Sequence, residues 1–203
     1  MKKMLVVMLV ALCAVFSVNA IGPEFGVKAG VTFGNIAYGD SDNPYMELDN
    51  PLKMGLTGGI MMEMPFGPIA LGAEVLYTQK GEKYSWSGEG EDLTMYFKAD
   101  YIEIPVMAKL SLLPMVKVYG GMSFGFLTSS SFVVEVDGEE VVNEDGDDMI
   151  NTTEFGAIAG VQIKVSKLVF DARYNHGLSD IMKDNEGDAV QLRTLYATVG
   201  LTF

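Results

Sequence analysis

FGVKAGVTFG, residues 25–34, alternates without a break. Its odd positions are Phe25, Val27, Ala29, Val31 and Phe33, and its even positions are Gly26, Lys28, Gly30, Thr32 and Gly34. A period of two over ten residues describes a β-strand with one apolar face and one small or polar face. The fold turns on how often the chain repeats this pattern and on which face meets water.

Seven further segments repeat it. Their apolar faces are Leu56 to Met64, Ile69 to Tyr77, Ile102 to Leu110, Val116 to Phe126, Phe155 to Val165, Leu168 to Tyr174 and Leu195 to Phe203, taken at every second residue. None of these positions is charged, although 20% of the chain is. Three connections are tight: PFGP (65–68), Leu113 to Met115, and Ser166–Lys167. The other four are long, at roughly 39–53, 81–98, 129–152 and 179–190. Short turns at one end and long loops at the other, joining eight strands of about ten residues, predict an all-β fold. The specific expectation is an eight-stranded antiparallel up-and-down transmembrane β-barrel with its termini on the short-turn, periplasmic side.

A soluble barrel would place the apolar face inside and long charged side chains outside. The opposite faces instead read Gly26, Lys28, Gly30, Thr32, Gly34; Gly55, Thr57, Gly59, Met61, Glu63; Gly121, Ser123, Gly125; Gly156, Ile158, Gly160, Gln162, Lys164; Thr194, Tyr196, Thr198, Gly200, Thr202, a set that is glycine-rich and sparsely charged. Small residues of this kind suit the lumen of an eight-strand barrel, which is only wide enough to be filled by side chains. The apolar set suits lipid, where a Lys or Arg at the midplane costs about 2–4 kcal/mol.

The first twenty residues stand apart. Lys2 and Lys3 precede an apolar run from Met4 to Phe16, followed by SVNA with Val18 and Ala20 as small residues. This predicts a cleavable signal peptide over 1–20 and an outer-membrane barrel domain over 21–203. The only cysteine, Cys13, lies inside that segment and too early for a lipoprotein site, so no disulfide is expected in the barrel. With 14 basic and 27 acidic residues the net charge is −13, which gives no footprint for nucleic acid.

The alternation aims several charges inward: Lys28, Glu63, Glu74, Glu103, Lys109, Lys117, Lys164, Asp171 and Arg173. Unpaired charge in a low-dielectric lumen is expensive, so these residues are expected to form a connected, structural ion-pair network that plugs the barrel. Pro105 falls in mid-strand, where it calls for a bulge or a missing ladder bond.

Acid concentrates in the loop over 129–152, which carries Glu135, Asp137, Glu139, Glu140, Glu144, Asp145, Asp147 and Asp148. FVVEVDGEEVV (132–142) places Asp137-Gly138 between two alternating runs, the pattern of a hairpin. This loop is the expected contact for an extracellular protein or a cation, although its spacing is not that of an EF-hand. Tyr84, Trp86, Tyr96, Phe97, Tyr101 and Tyr174 fall near the loop-side rim and are expected to form an interfacial aromatic girdle. His176, near Ser179 and Asp180, is the one poor candidate for a rim hydrolase, because residues three apart on a strand face opposite ways. No metal motif, phosphate loop or cofactor site is present in the sequence, and no catalytic residue is assigned.

GVKAGVTFGN (26–35), AEVLYTQKG (73–81), YIEIPVMAKL (101–110), VYGGMSFGFL (118–127) and DARYNHGLSDI (171–181) resemble the PorT-like outer-membrane β-barrel family, common in the Bacteroidetes lineage. EIP and RY…GLSDI are the more specific marks. The resemblance implies an eight-strand outer-membrane barrel and supplies no catalytic residues. The ending RTLYATVGLTF (193–203) is expected to pair with residues 25–34 and so remove both open edges, which lipid would not tolerate. Its terminal Phe203 looks like a recognition signal for the outer-membrane assembly machinery. The function expected is structural or surface-interacting, through the long acidic loops. A narrow channel and a rim hydrolase using His176 are the alternatives.

Overall fold

The computed structural model describes residues 22–38, 53–88, 91–136, 139–145, 150–182 and 190–203. The expected signal peptide over 1–20 lies outside the described residues. Nine strands follow in order: β1 (Glu24–Tyr38), β2 (Lys53–Phe66), β3 (Ile69–Gly88), β4 (Glu91–Leu113), β5 (Val116–Val136), β6 (Glu139–Asp145), β7 (Thr153–Val165), β8 (Leu168–Gly177) and β9 (Val190–Thr202). Eight of them close a ring, β1-β2-β3-β4-β5-β7-β8-β9, in which every neighbouring pair is antiparallel. Closure runs through β9 against β1, with Thr202 opposite Gly26 and Val190 opposite Tyr38. Phe203 donates its N–H to the Phe25 carbonyl at 3.0 Å. Every strand in the ring is paired on both sides.

The tight turns are two-residue hairpins at Gly67–Pro68, Pro114–Met115 and Ser166–Lys167. Gly67 and Ser166 adopt φ of 68° and 58°, the left-handed geometry that matches such turns to strand twist. At the other end the strands run on. β3 and β4 stay paired to Gly88 and Glu91, and β5 runs to Val136 and turns back into β6. The segment 81–98 is therefore not the loop expected from the sequence: it is a strand hairpin continuing the barrel wall. About ten residues cross a bilayer, so strands of 20, 23 and 21 residues carry the wall well beyond it.

β6 is the ninth strand and pairs only with β5. It forms the hairpin expected around Asp137-Gly138, two residues that lie outside the described ones. Pro105 causes no bulge. The β3–β4 ladder keeps its register across it but omits the pairs Glu74 with Pro105 and Val75 with Ile104, where proline has no N–H to give. The register shifts in β4 fall instead between Asp100 and Tyr101 and between Ser111 and Leu113.

The two faces separate as the alternation requires. Leu56 and Ile60 are each 60% exposed, and Val106, Phe126, Phe170 and Val199 all project outward. In water this would be a continuous apolar belt far larger than a soluble monomer tolerates. The core lies inside the ring, and it is largely polar.

Candidate functional site

Three layers of charge cross the lumen. At the short-turn end, Lys164 on β7 pairs with Glu24 on β1 at 2.6 Å. Glu63 on β2 receives both Lys117 and Lys109, the latter at 3.0 Å, and Lys109 also donates to Gln162 Oε1 at 2.6 Å. In the middle, Lys28 on β1 sits between Glu74 and Asp171 at 3.1 and 3.3 Å. Arg173 on β8 reaches Glu74 at 2.7 Å and donates through Nε to Tyr119 Oη at 3.1 Å. Tyr119 in turn donates to Asp171 at 2.7 Å. The Arg173 guanidinium also lies 5.6 and 5.7 Å from the ring centres of Tyr119 and Tyr196, within cation–π range. Tyr119 has room to lie there because a Cβ at Gly160 would occupy the space of its ring and hydroxyl.

The third layer centres on Lys80 of β3. Its ammonium pairs with Glu103 at 2.6 Å and Glu154 at 2.9 Å, over the ring of Tyr101. Tyr196 donates to the second Glu103 oxygen at 2.8 Å, while Ser123 and Asn175 approach the first at 3.4 Å. Above this layer the chemistry changes. Phe97, Ala99, Tyr101, Ile150, Ile181, Val190 and Leu192 form one buried apolar cluster, with Leu127 packed against it. Asn151 donates its backbone N–H to Ile181 at 2.8 Å, and Ile150 bridges to Met182, so segments beyond the ends of the wall strands fold in over the mouth.

The structure thus brings Lys28, Glu63, Glu74, Glu103, Lys109, Lys117, Lys164, Asp171 and Arg173 together in the lumen. Sequence reasoning missed Lys80, Glu154 and Glu24. The signal was present: each lies one to three positions beyond an alternating stretch, in phase with its inward set. Glu24 is in phase with Gly26 and Lys28, Lys80 with Glu74 and Thr78, and Glu154 with Gly156 and Ile158. With these three, the ion pairs among the described residues join six basic and six acidic side chains, a balanced set.

Two members of the expected girdle are elsewhere. Phe97 and Tyr101 are 8% and 0% exposed and belong to the apolar cluster inside the mouth. On β4 the outward set is even-numbered, so residues 97 and 101 had to face in; aromatic character alone was a poor guide to side. Tyr174 does face outward, and so does Tyr77. The side chains of Tyr84, Trp86 and Tyr96 lie outside the described ones. His176 Nδ1 lies 3.4 Å from Tyr174 Oη, and Ser179 Oγ accepts the Phe155 N–H at 3.0 Å. The serine oxygen thus serves a backbone N–H near the start of β7, and no hydrogen bond between it and the imidazole is found among the described residues.

A closed ring of eight strands, apolar outside and charge-paired inside, is a membrane barrel by its physics. The family model of the outer membrane protein beta-barrel domain matches residues 19–183. The chain belongs to that family. It is an integral protein of the outer membrane of a Gram-negative bacterium. A comparison with curated proteins finds no match. Among solved structures, the chain is similar to Neisserial surface protein A at 16% identity and a TM-score of 0.49, covering 90% of this chain and 99% of that one. It is also similar to Ail, the attachment invasion locus protein of Yersinia pestis, at 14% identity and a TM-score of 0.46, covering 89% and 99%. OprG of Pseudomonas aeruginosa matches at 9% identity and a TM-score of 0.37, covering 89% and 95%.

Proposed function

We propose that this protein is a sealed outer-membrane barrel whose role is structural or surface-interacting, carried by the chain that rises beyond the outer leaflet. The observation that supports this reading is the filling of the lumen. Charge-paired layers span it from Glu24–Lys164 to Lys80, and an apolar layer around Leu192 and Ile181 closes the outer end. A hydrated ion crossing that layer would lose its water to a lining that, among the described side chains of the cluster, offers only the Tyr101 hydroxyl in return. The test is recording from the pure protein in planar bilayers. No steady conductance is expected. A reproducible, ion-selective conductance would replace the sealed reading with the narrow-channel alternative.

The surface partner falls to the acidic stretch over 129–152, as an extracellular protein or a cation. The β5–β6 hairpin that projects part of this stretch supports that assignment. Binding by intact cells, compared with a deletion of 137–149, tests it; unchanged binding would remove the loop from the proposal. The motifs EIP and RY…GLSDI support placing the chain with the PorT-like, Bacteroidetes-type members of its family, and the composition of residues 1–20 supports export through a cleaved signal peptide. The rim hydrolase finds no support in the commitment of Ser179 Oγ to Phe155.

Phe203 serves as the signal for the assembly machinery in this reading. Its side chain is 70% exposed, so it contributes little to barrel packing. Deleting it should lower the amount inserted in cells while leaving the unfolding midpoint of the inserted fraction within error of the parent. Normal insertion of the deletion would dismiss the signal.

A further inference from the structure

The outward face of the wall changes character at one place. On β4 the outward positions run Leu110, Ala108, Val106, Ile104 and Ile102, then Asp100 and Lys98. Ten residues of a strand tilted about 40° rise about 25 Å, the height of the apolar band of an outer-membrane barrel. Asp100 and Lys98 therefore stand where hydrocarbon gives way to headgroups. A cavity of about 270 Å³ opens there, lined by Lys53, Gln79, Lys98, Asp100 and the three serines Ser129, Ser130 and Ser131.

Two irregularities of the wall build it. β2 and β3 are paired only as far as Thr57 and Thr78. Beyond that point side chains take over the ladder: Gln79 Oε1 accepts the Leu56 N–H at 3.3 Å, and Lys53 Nζ donates to the Phe97 carbonyl at 2.8 Å and the Lys80 carbonyl at 3.5 Å. Lys53 passes Gly81 on the way, at a point where any Cβ would meet its ammonium. On the other side of the cavity, the register shift between Asp100 and Tyr101 leaves Thr128 outside the β4–β5 register, its hydroxyl donating to the Asp100 carbonyl at 2.8 Å. Thr128 and Ser129 consequently both face out, as a bulge allows.

The charges are arranged for an anion. Lys53 and Lys98 both line the cavity, two cations against the single carboxylate of Asp100. The Asp100 carboxylate is already engaged, accepting the Tyr77 hydroxyl at 2.7 Å. Serine hydroxyls and ammonium groups are the donors that hold phosphate oxygens. Met54, Lys98 and Ser129, all exposed on the outward face of the wall, line it on the lipid side. A phosphate entering from the membrane would keep its acyl chains against the apolar belt below.

We propose that this rim cavity binds the phosphate of an outer-leaflet lipid headgroup, with Lys53 and Lys98 supplying the charge and Ser129 and Ser131 the hydroxyl donors. The experiment uses the folded barrel in a phosphate-free maltoside detergent. It is titrated separately with lipid A, with lipid A stripped of its phosphates, and with inorganic phosphate, following the backbone amide signals of Ser129 to Ser131. Saturable shifts are expected with lipid A, with affinity about tenfold or more weaker for the dephosphorylated lipid and for inorganic phosphate. Lys98→Glu should weaken lipid A by a similar factor, whereas Lys167→Ala, at the far turn, should not. The double variant Ser129→Ala/Ser131→Ala gives a second reading if Lys98→Glu fails to migrate as a folded barrel before boiling. Equal binding of the dephosphorylated lipid, or unchanged lipid A affinity in the variants, would overturn the site. Inorganic phosphate binding as tightly as lipid A would overturn the lipid as its source.

Discussion

In the lower and middle lumen, each charged side chain meets partners from across the ring: Lys28 of β1 with Asp171 of β8, Lys80 of β3 with Glu154 of β7, Lys109 of β4 with Gln162 of β7. At the outer end, Phe97, Ala99, Ile181 and Leu192 meet one another with no charge at all. Both arrangements fill the same cross-section, but they fail differently. A charge lattice holds only while it is complete, since removing one member leaves another buried and uncompensated. An apolar layer loses contacts in proportion to what is cut away and can partly close over the gap. The wall strands that must cross the membrane in one register are thus tied by the unforgiving material, and the mouth is stopped by the forgiving one.

The largest expected effect lies where the lattice is densest. Lys80→Met would leave Glu103 and Glu154 facing each other in the lumen without their shared cation. The expected loss is about 3–5 kcal/mol, the cost of breaking a buried pair, measured by urea unfolding of the barrel from lipid vesicles. Adding Glu154→Gln should restore much of it, because Glu103 keeps Tyr196, Ser123 and Asn175 as donors. If the single variant unfolds at the parental urea concentration, the layer around Lys80 is not holding the strands. Recovery in the double variant would show that the damage came from unpaired acid rather than from lost packing.

How far this was legible from the sequence follows from the same contrast. The wall was readable because lipid and a narrow lumen each select side chains at a period of two, and the outward registers read from Phe25, Leu56, Ile102 and Leu195 all hold. The lattice was readable in part, since a charge in phase with a glycine-rich face has only the lumen to enter. It was cut short at Glu24, Lys80 and Glu154 because the alternation was followed only through the span of a bilayer, while the strands run further. The mouth was the least legible. Phe97 and Tyr101 belong to it by phase, but Ile150 and Ile181 reach it from segments with no period to follow, and only tertiary folding brings them in. The rim cavity escaped for a similar reason: it depends on a ladder that stops at Thr57 and on a register shift at Asp100, neither of which has a composition signal.

The apolar mouth should answer a cut with a smaller change. Leu192, 1% exposed, sits against Val190 and Ile181 in the cluster. Leu192→Ala is expected to cost about 2 kcal/mol, the lower end for a buried leucine, since the surrounding segments are free to settle. The same unfolding measurement reads it, and planar-bilayer recording on this variant asks whether the layer is also the seal. A loss as large as that of Lys80→Met would mean that the mouth, too, is a rigid part of the wall.

The smallest effect should come from the pair that belongs to the lattice by geometry but not by environment. Lys164 and Glu24 meet at 2.6 Å, as close as Lys80 and Glu103, yet their side chains are 22% and 43% exposed against 0% and 2%. Water at the short-turn end screens the attraction and hydrates either partner left alone, so the coupling should fall to about 0–1 kcal/mol, the value of an exposed pair. A double-mutant cycle with Lys164→Met and Glu24→Gln isolates it, and raising the salt concentration should shrink it further. A coupling comparable to that of Lys80 with its two glutamates would mean that distance, rather than exclusion of water, sets the strength of the lattice. The division between its inner layers and its open end would then disappear.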